Sequence, residues 1–143
     1  MIIGTAYMID FEGVEDAILL GDPGRLSRLL GNCATAAEMQ IVEEPLVHVF
    51  DSQGEGLTYI ALLSQSHLAA HTWPEFRFLS VDFYTCGDAN KARMALEALQ
   101  LCVPCRHVSL TVSTRGTGDA ATPASGAGFS AVACTPLSLA EPG

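Results

Sequence analysis

Residues 57–63, 67–73 and 76–85 are three apolar segments set almost end to end, separated by a few polar residues and by Pro74-Glu75. Gaps this short suit hairpins, not the long crossovers that parallel strands need. The first segment carries Tyr59 and Ile60 among Leu and Ala and reads as a central strand. The middle of the chain is therefore committed to an antiparallel sheet, and the flanking sequence has to be arranged around it.

Residues 2–11 read as a buried strand, closed by Glu12-Gly13. A helical turn follows over 17–20. Asp22 serves as an N-cap with Pro23 at the first helical position. Leu26, Leu29, Leu30, Cys33 and Ala37 then recur at helical spacing, which predicts a helix over 23–39. Residues 41–50 read as another strand, interrupted by Glu43-Glu44-Pro45, and 51–56 as a polar, glycine-rich turn. Ala92, Ala95, Leu96 and Leu99 predict a second helix over 89–100, and alternating Val108, Leu110 and Val112 predict a last strand over 107–113. The order gives an α+β fold, a two-layer sandwich of a mainly antiparallel sheet with two helices on one face. Because 57–63 is apolar toward both sides, the uncovered sheet face is expected to pack on a second sheet across a dimer.

Two domain assignments follow, a folded unit over 1–115 and a mobile tail over 116–143 that is rich in Gly, Ala, Thr, Ser and Pro. At 143 residues the chain fits one domain with a real core. Its net charge of −9, from 7 basic and 16 acidic residues, argues against nucleic-acid and anionic-membrane partners and suits a cationic small molecule. No apolar run approaches the ~20 residues that span a bilayer, and the start has no basic n-region. Five cysteines form no disulfide framework, so reduced thiols in a cytoplasm are expected.

Several motifs fail on inspection. Cys102-Val-Pro-Cys105 has redox or zinc spacing, but no second pair completes a tetrahedral site. His67 and His71 are four apart, yet they lack the intervening glutamate of zinc proteases, and Trp73-Pro74 stops a helix. No metal is expected. Gly116-Thr-Gly118 lacks the third glycine and following helix of a dinucleotide site. What remains is Ser66, His71 and Cys86, groups fit for covalent or proton-transfer chemistry.

The string around these three, Q-S-H-L-A-A-H-T-W-P-E followed by V-D-F-Y-T-C-G, closely resembles the signature of prokaryotic S-adenosylmethionine decarboxylases, small proenzymes that process themselves to a pyruvoyl enzyme. The resemblance covers residues 4 to about 116, through G-T-A-Y-M-I-D near the start and Gly56-Leu-Thr58 before the core strand. It implies cleavage of Gln65–Ser66 by attack of the Ser66 hydroxyl on the Gln65 carbonyl. Ester formation and β-elimination follow, leaving a pyruvoyl group derived from Ser66. It implies further that His71 and Thr58 assist processing, and that Cys86 protonates the product carbon after carbon dioxide leaves. Glu75 would hold the ribose hydroxyls, Phe50 would stack on adenine from a neighbouring subunit of a homodimer, and Trp73 would form a pocket wall. Decarboxylation of an amino acid needs an electron sink, and with no lysine in this segment to hold pyridoxal phosphate, the built-in ketone that the resemblance implies is a sufficient alternative.

The sequence departs from that family at several points. Gln65 replaces the usual glutamate at the cleaved bond, Tyr7 stands where His is common, Ala69 and Ala70 replace larger residues, and Phe76-Arg77-Phe78 replaces a tyrosine-rich run. The expected function is conversion of S-adenosylmethionine to its decarboxylated form for spermidine synthesis. Arginine or ornithine as substrate on the same scaffold is the alternative, and a non-catalytic homologue the third reading.

Overall fold

The hairpins expected at the centre are the centre. The computed structural model describes residues 3–50, 55–86 and 88–116. Its elements are β1 (Gly4–Glu12), α1 (Ala17–Gly21), α2 (Pro23–Ala36), β2 (Leu46–Val49), β3 (Leu57–Leu63), β4 (Ser66–Trp73), β5 (Phe78–Thr85), α3 (Ala89–Cys102) and β6 (His107–Arg115). The strands form one antiparallel sheet in the order β2-β3-β4-β5-β1-β6. The expected α+β fold is borne out. Residues 51–54 of the glycine-rich turn, Gly87 of the T-C-G run and the tail over 117–143, with Cys134, lie outside the described residues.

Side chains alternate across each strand, so a period of two decides what is buried. Leu57, Tyr59, Ala61 and Leu63 of β3 are buried, as are Leu68 and Ala70 of β4 and Leu79, Val81 and Phe83 of β5. They share one core with Leu26, Leu30 and Cys33 of α2 and Ala92, Ala95 and Leu99 of α3. Each buried Leu or Phe contributes about 1.5–3 kcal/mol relative to exposure. The helix starts are capped by aspartates that satisfy orphan N–H groups. Asp16 accepts from Ile18 N and Leu19 N, Asp22 from Arg25 N at 3.0 Å, and Asp88 from Asn90 N at 2.8 Å.

Among the described residues, the opposite face of the sheet carries no helix. Leu46 is 68% exposed and faces Ile60 in register, while Leu62, 53% exposed, and Trp73 lie on the same side. Asp10, Glu12 and Asp82 share this face toward β1 and β5, where Met8 pairs with Asp82 and Asp10 with Ser80.

Two elements depart from the sequence reading by more than two residues at one end. The strand over 41–50 shrinks to Leu46–Val49, with Ile41 making only an isolated bridge to Leu63. The cause is Glu43-Glu44-Pro45, two exposed carboxylates and a residue with no N–H to give a ladder. The helix over 23–39 stops at Ala36 because Glu38 turns into the left-handed region, with φ 56°.

Two expected outcomes test this core. The Tyr59 hydroxyl is buried with no hydrogen-bond partner among the described residues. Tyr59→Phe therefore raises stability by about 1 kcal/mol in thermal denaturation, and a loss would contradict the unpaired hydroxyl. The Asp10 carboxyl is pushed above its usual range by burial, then by Asp82 and by Glu12. Its folded pKa exceeds its unfolded one, so its charge costs stability near neutrality, and that cost is lost as pH falls below the ordinary Asp value of 3.8. Asp10→Asn should raise Tm at neutral pH and lose that advantage at acid pH.

Candidate active site

The strands set the expected site residues at two places, and the spacing between them is the main geometric fact. At one end of β4, Thr58 and His71 are directly paired across β3 and β4. Thr58 Oγ1 and His71 Nδ1 are 3.0 Å apart, a hydrogen bond that fixes the ring and leaves Nε2 for proton transfer. Both residues line a cavity of about 410 Å³ together with Phe50, Trp73 and Glu75, a size that suits a small-molecule ligand. His71 and Trp73 have ring centroids 6.1 Å apart. Phe50 is set edge-on against His48 at 4.7 Å.

This end is built by Thr72, a residue to which the sequence reading gave no role. Its buried hydroxyl donates to Leu20 O at 2.6 Å and accepts from Leu57 N at 2.8 Å. One side chain thus ties the end of α1 to the start of β3 and the end of β4. Gly56 lies against the same point, and a Cβ there would sit 2.8 Å from Thr72 O. After Trp73, Pro74–Phe76 forms one 3-10 turn, and Arg77 follows at φ 49°. That turn brings Glu75 back over the cavity. The signal that could have found Thr72 is its position, since 68, 70 and 72 all fall on the buried side of an alternating strand.

At the other end of β4, Ser66 pairs with Leu63 and with Thr85. Ser64 and Gln65 are the two turn residues of the β3–β4 hairpin, so the Gln65–Ser66 bond lies where a tight turn meets a strand. Gln65 is exposed and Ser66 half-buried. The Ser66 hydroxyl makes one long contact, to its neighbour His67 O at 3.5 Å. Cys86 follows Thr85 at the end of β5 and is an exposed free thiol. Ser66 is thus paired with the residue just before Cys86, whereas His71 is five residues away along β4, roughly 16 Å at the usual rise. Within one protomer the structure does not bring Ser66 to the Thr58–His71 pair.

The C-x-x-C pair lies in the helix layer instead. The Cys102 thiol is within hydrogen-bonding reach of Cys33, whose pKa is pushed up to about 12, first by burial and then by Cys102. Burial also raises the Cys105 thiol. Such thiols are poor nucleophiles at neutral pH.

Comparison with known proteins places the chain among decarboxylase proenzymes. The sequence profile of S-adenosylmethionine decarboxylase matches residues 5–116, and the chain belongs to that family. It is 38% identical to the S-adenosylmethionine decarboxylase proenzyme of Aquifex aeolicus over 114 residues, 80% of this chain and 82% of that one. The protein of the same name from Hydrogenobaculum is 31% identical over the same shares of each chain. An arginine decarboxylase proenzyme of Pyrobaculum arsenaticum is 38% identical over 87 residues, 61% of this chain and 65% of that one. Among solved structures, the Aquifex aeolicus adenosylmethionine decarboxylase matches with a TM-score of 0.72 at 28% identity, covering 85% of this chain and 98% of that one. The expected family and its lyase class are thereby borne out.

Replacing Thr72 tests how the cavity is held. Thr72→Val keeps the shape but leaves Leu57 N–H and Leu20 C=O unpaired, so it should cost about 3 kcal/mol of stability, and Thr72→Ser should recover most of it. Equal melting of Thr72→Val and the parent chain would contradict the role given to this hydroxyl.

Proposed function

We propose that this chain is a self-cleaving, pyruvoyl-dependent decarboxylase of S-adenosylmethionine, working as a homodimer and supplying decarboxylated S-adenosylmethionine for spermidine synthesis. The observation that carries the reading is the hydrogen-bonded Thr58–His71 pair on an aromatic-lined cavity, separated along β4 from a serine at a hairpin turn. In this reading Ser66 cuts the chain between residues 65 and 66, with Gln65 supplying the attacked carbonyl. His71 takes the α-proton during elimination, and Thr58 orients it.

A pyruvoyl ketone at position 66 supplies the electron sink for decarboxylation. The residues present suit such a group: the serine that would become it ends an exposed turn, and a free thiol stands beside it. Cys86 returns a proton to the carbon that has lost carbon dioxide. Phe50 and Trp73 offer two partly exposed aromatic faces for a planar base, and Glu75 offers a carboxylate for ribose hydroxyls. The chain's net charge of −9 favours a cationic substrate and disfavours nucleic acid and anionic membranes.

The separation of the two groups supports a dimer in which each site is shared. A two-fold interface is self-complementary, so contacts are exchanged between copies. Two sheets packed by their open faces, with β4 strands running oppositely, would bring the turn end of β4 in one protomer, with the Gln65–Ser66 bond, toward the Thr58–His71 end of the other. The exposed Leu46, Ile60 and Leu62 of that face suit burial. We take residues 1–115 as the self-processing domain and 116–143 as an appended tail. No helix among the described residues is long and apolar enough to cross a membrane, and the four described cysteines are free. A cytoplasmic setting accords with both.

Two inactive variants test the shared site. Ser66→Ala and His71→Ala should each remain uncut or nearly so when made alone. When they are made together, the mixed dimer has one intact site, so the His71→Ala chain is cut and appears as two fragments on a denaturing gel. No cutting in the mixture would contradict the shared site. Arginine is the second reading, supported by the Pyrobaculum relative named for that substrate. Carbon dioxide release from S-adenosylmethionine, arginine and ornithine decides; release from arginine but not S-adenosylmethionine would overturn the substrate proposed.

A further inference from the structure

The turn that holds the Gln65–Ser66 bond faces a second, smaller cavity of about 170 Å³. Ser64, Gln65 and Ser66 line it with three charged residues, Glu38, Asp88 and Lys91. Two of the three are carboxylates, so Lys91 is the cation of the set. The segment leaving α2 fixes both sides of this space. Glu38 takes its left-handed conformation at φ 56°, and its carbonyl accepts a hydrogen bond from Lys91 Nζ at 3.1 Å. Two residues on, Gln40 O accepts from Ser64 N at 3.0 Å. Three consecutive residues thus hold an ammonium from α3 and the β3–β4 turn against one another. A non-glycine residue in the left-handed region costs about 1 kcal/mol or more, and such conformations gather at functional sites.

We propose that Lys91 is the charge-stabilising residue of self-cleavage at Gln65–Ser66. The inference rests on the self-processing reading above and adds a residue to it. When Ser66 Oγ adds to the Gln65 carbonyl carbon, the carbonyl electron pair moves onto oxygen, which becomes negative. The hydroxyl proton passes to the Ser66 nitrogen, the C–N bond breaks, and an ester with a free amine remains. Lys91 neither gives nor takes a proton in this step. Its ammonium, held by the Glu38 carbonyl, lowers the energy of the charge on the Gln65 oxygen, and in a partly enclosed space that charge is screened less than in bulk water. Elimination then releases Gln65 as a new carboxylate beside Glu38 and Asp88. The same ammonium offsets that third negative charge.

The test follows cleavage of freshly refolded full-length precursor against time on denaturing gels. Lys91→Ala should slow fragment appearance by at least about ten-fold, while Lys91→Arg, which keeps the charge, runs close to the parent rate. Melting of the uncut pair Ser66→Ala and Ser66→Ala/Lys91→Ala separates charge from scaffold, and equal Tm values are expected. Cleavage of Lys91→Ala at the parent rate, a Lys91→Arg variant as slow as Lys91→Ala, or a double variant melting well below Ser66→Ala would each overturn the role of Lys91. A parent chain that stays intact would instead overturn the self-processing reading itself.

Discussion

The buried hydroxyl of Thr72 is the joint on which the rest depends. It satisfies one donor of β3 and one acceptor of α1, groups that would otherwise be stranded in the core. That cross-link fixes where β4 ends relative to the helix layer. From there the chain must turn out through Pro74, and the turn carries Trp73 and Glu75 to the cavity rim. The same register puts Thr58 opposite His71, because β3 and β4 are locked residue by residue. A neutral hydrogen bond is worth only about 1 kcal/mol net, but leaving a buried partner unpaired costs more. The cavity is therefore built by avoiding an unsatisfied backbone.

An antiparallel sheet with helices on one side leaves its other side to be covered, and here that side is apolar at β2 and β3 and acidic toward β1 and β5. The pattern suits two copies meeting face to face, which also relieves the separation of Ser66 from His71. The acidic stretch carries a carboxyl already pushed upward by burial and by its neighbours. In the dimer proposed above, closing a second sheet over it would raise that electrostatic cost, so the area near Asp10 and Asp82 would contribute less than the apolar end.

Much of this was legible in the residues. The hairpin sequence over 57–85 and the stripes of α2 and α3 dictate the sheet and its cover, since periods of two and 3.6 reflect what is buried. The strand over 41–50 is shorter than expected because the interruption at Glu43, Glu44 and Pro45 ends the ladder, and only Leu46–Val49 pairs as a strand. The site was legible as a list and not as a place. Ser66, His71 and Cys86 read as one cluster in sequence, but an extended strand spreads five residues over roughly 16 Å. Thr72 and Lys91 were missed for a related reason. The alternation of β4 marks Thr72 as buried, but the partners that give the two residues their roles, Leu20 and Glu38, lie 52 and 53 residues away in sequence.

The central claim is that the chain makes its own carbonyl group by breaking itself at Gln65–Ser66. Intact mass measurement of the purified full-length protein tests it most directly. Two chains should be found, one ending in a carboxylate at Gln65 and the other beginning at position 66 with a mass lower by one ammonia than a serine start requires. A single unbroken chain, or a second fragment that begins with unmodified serine, would contradict the account.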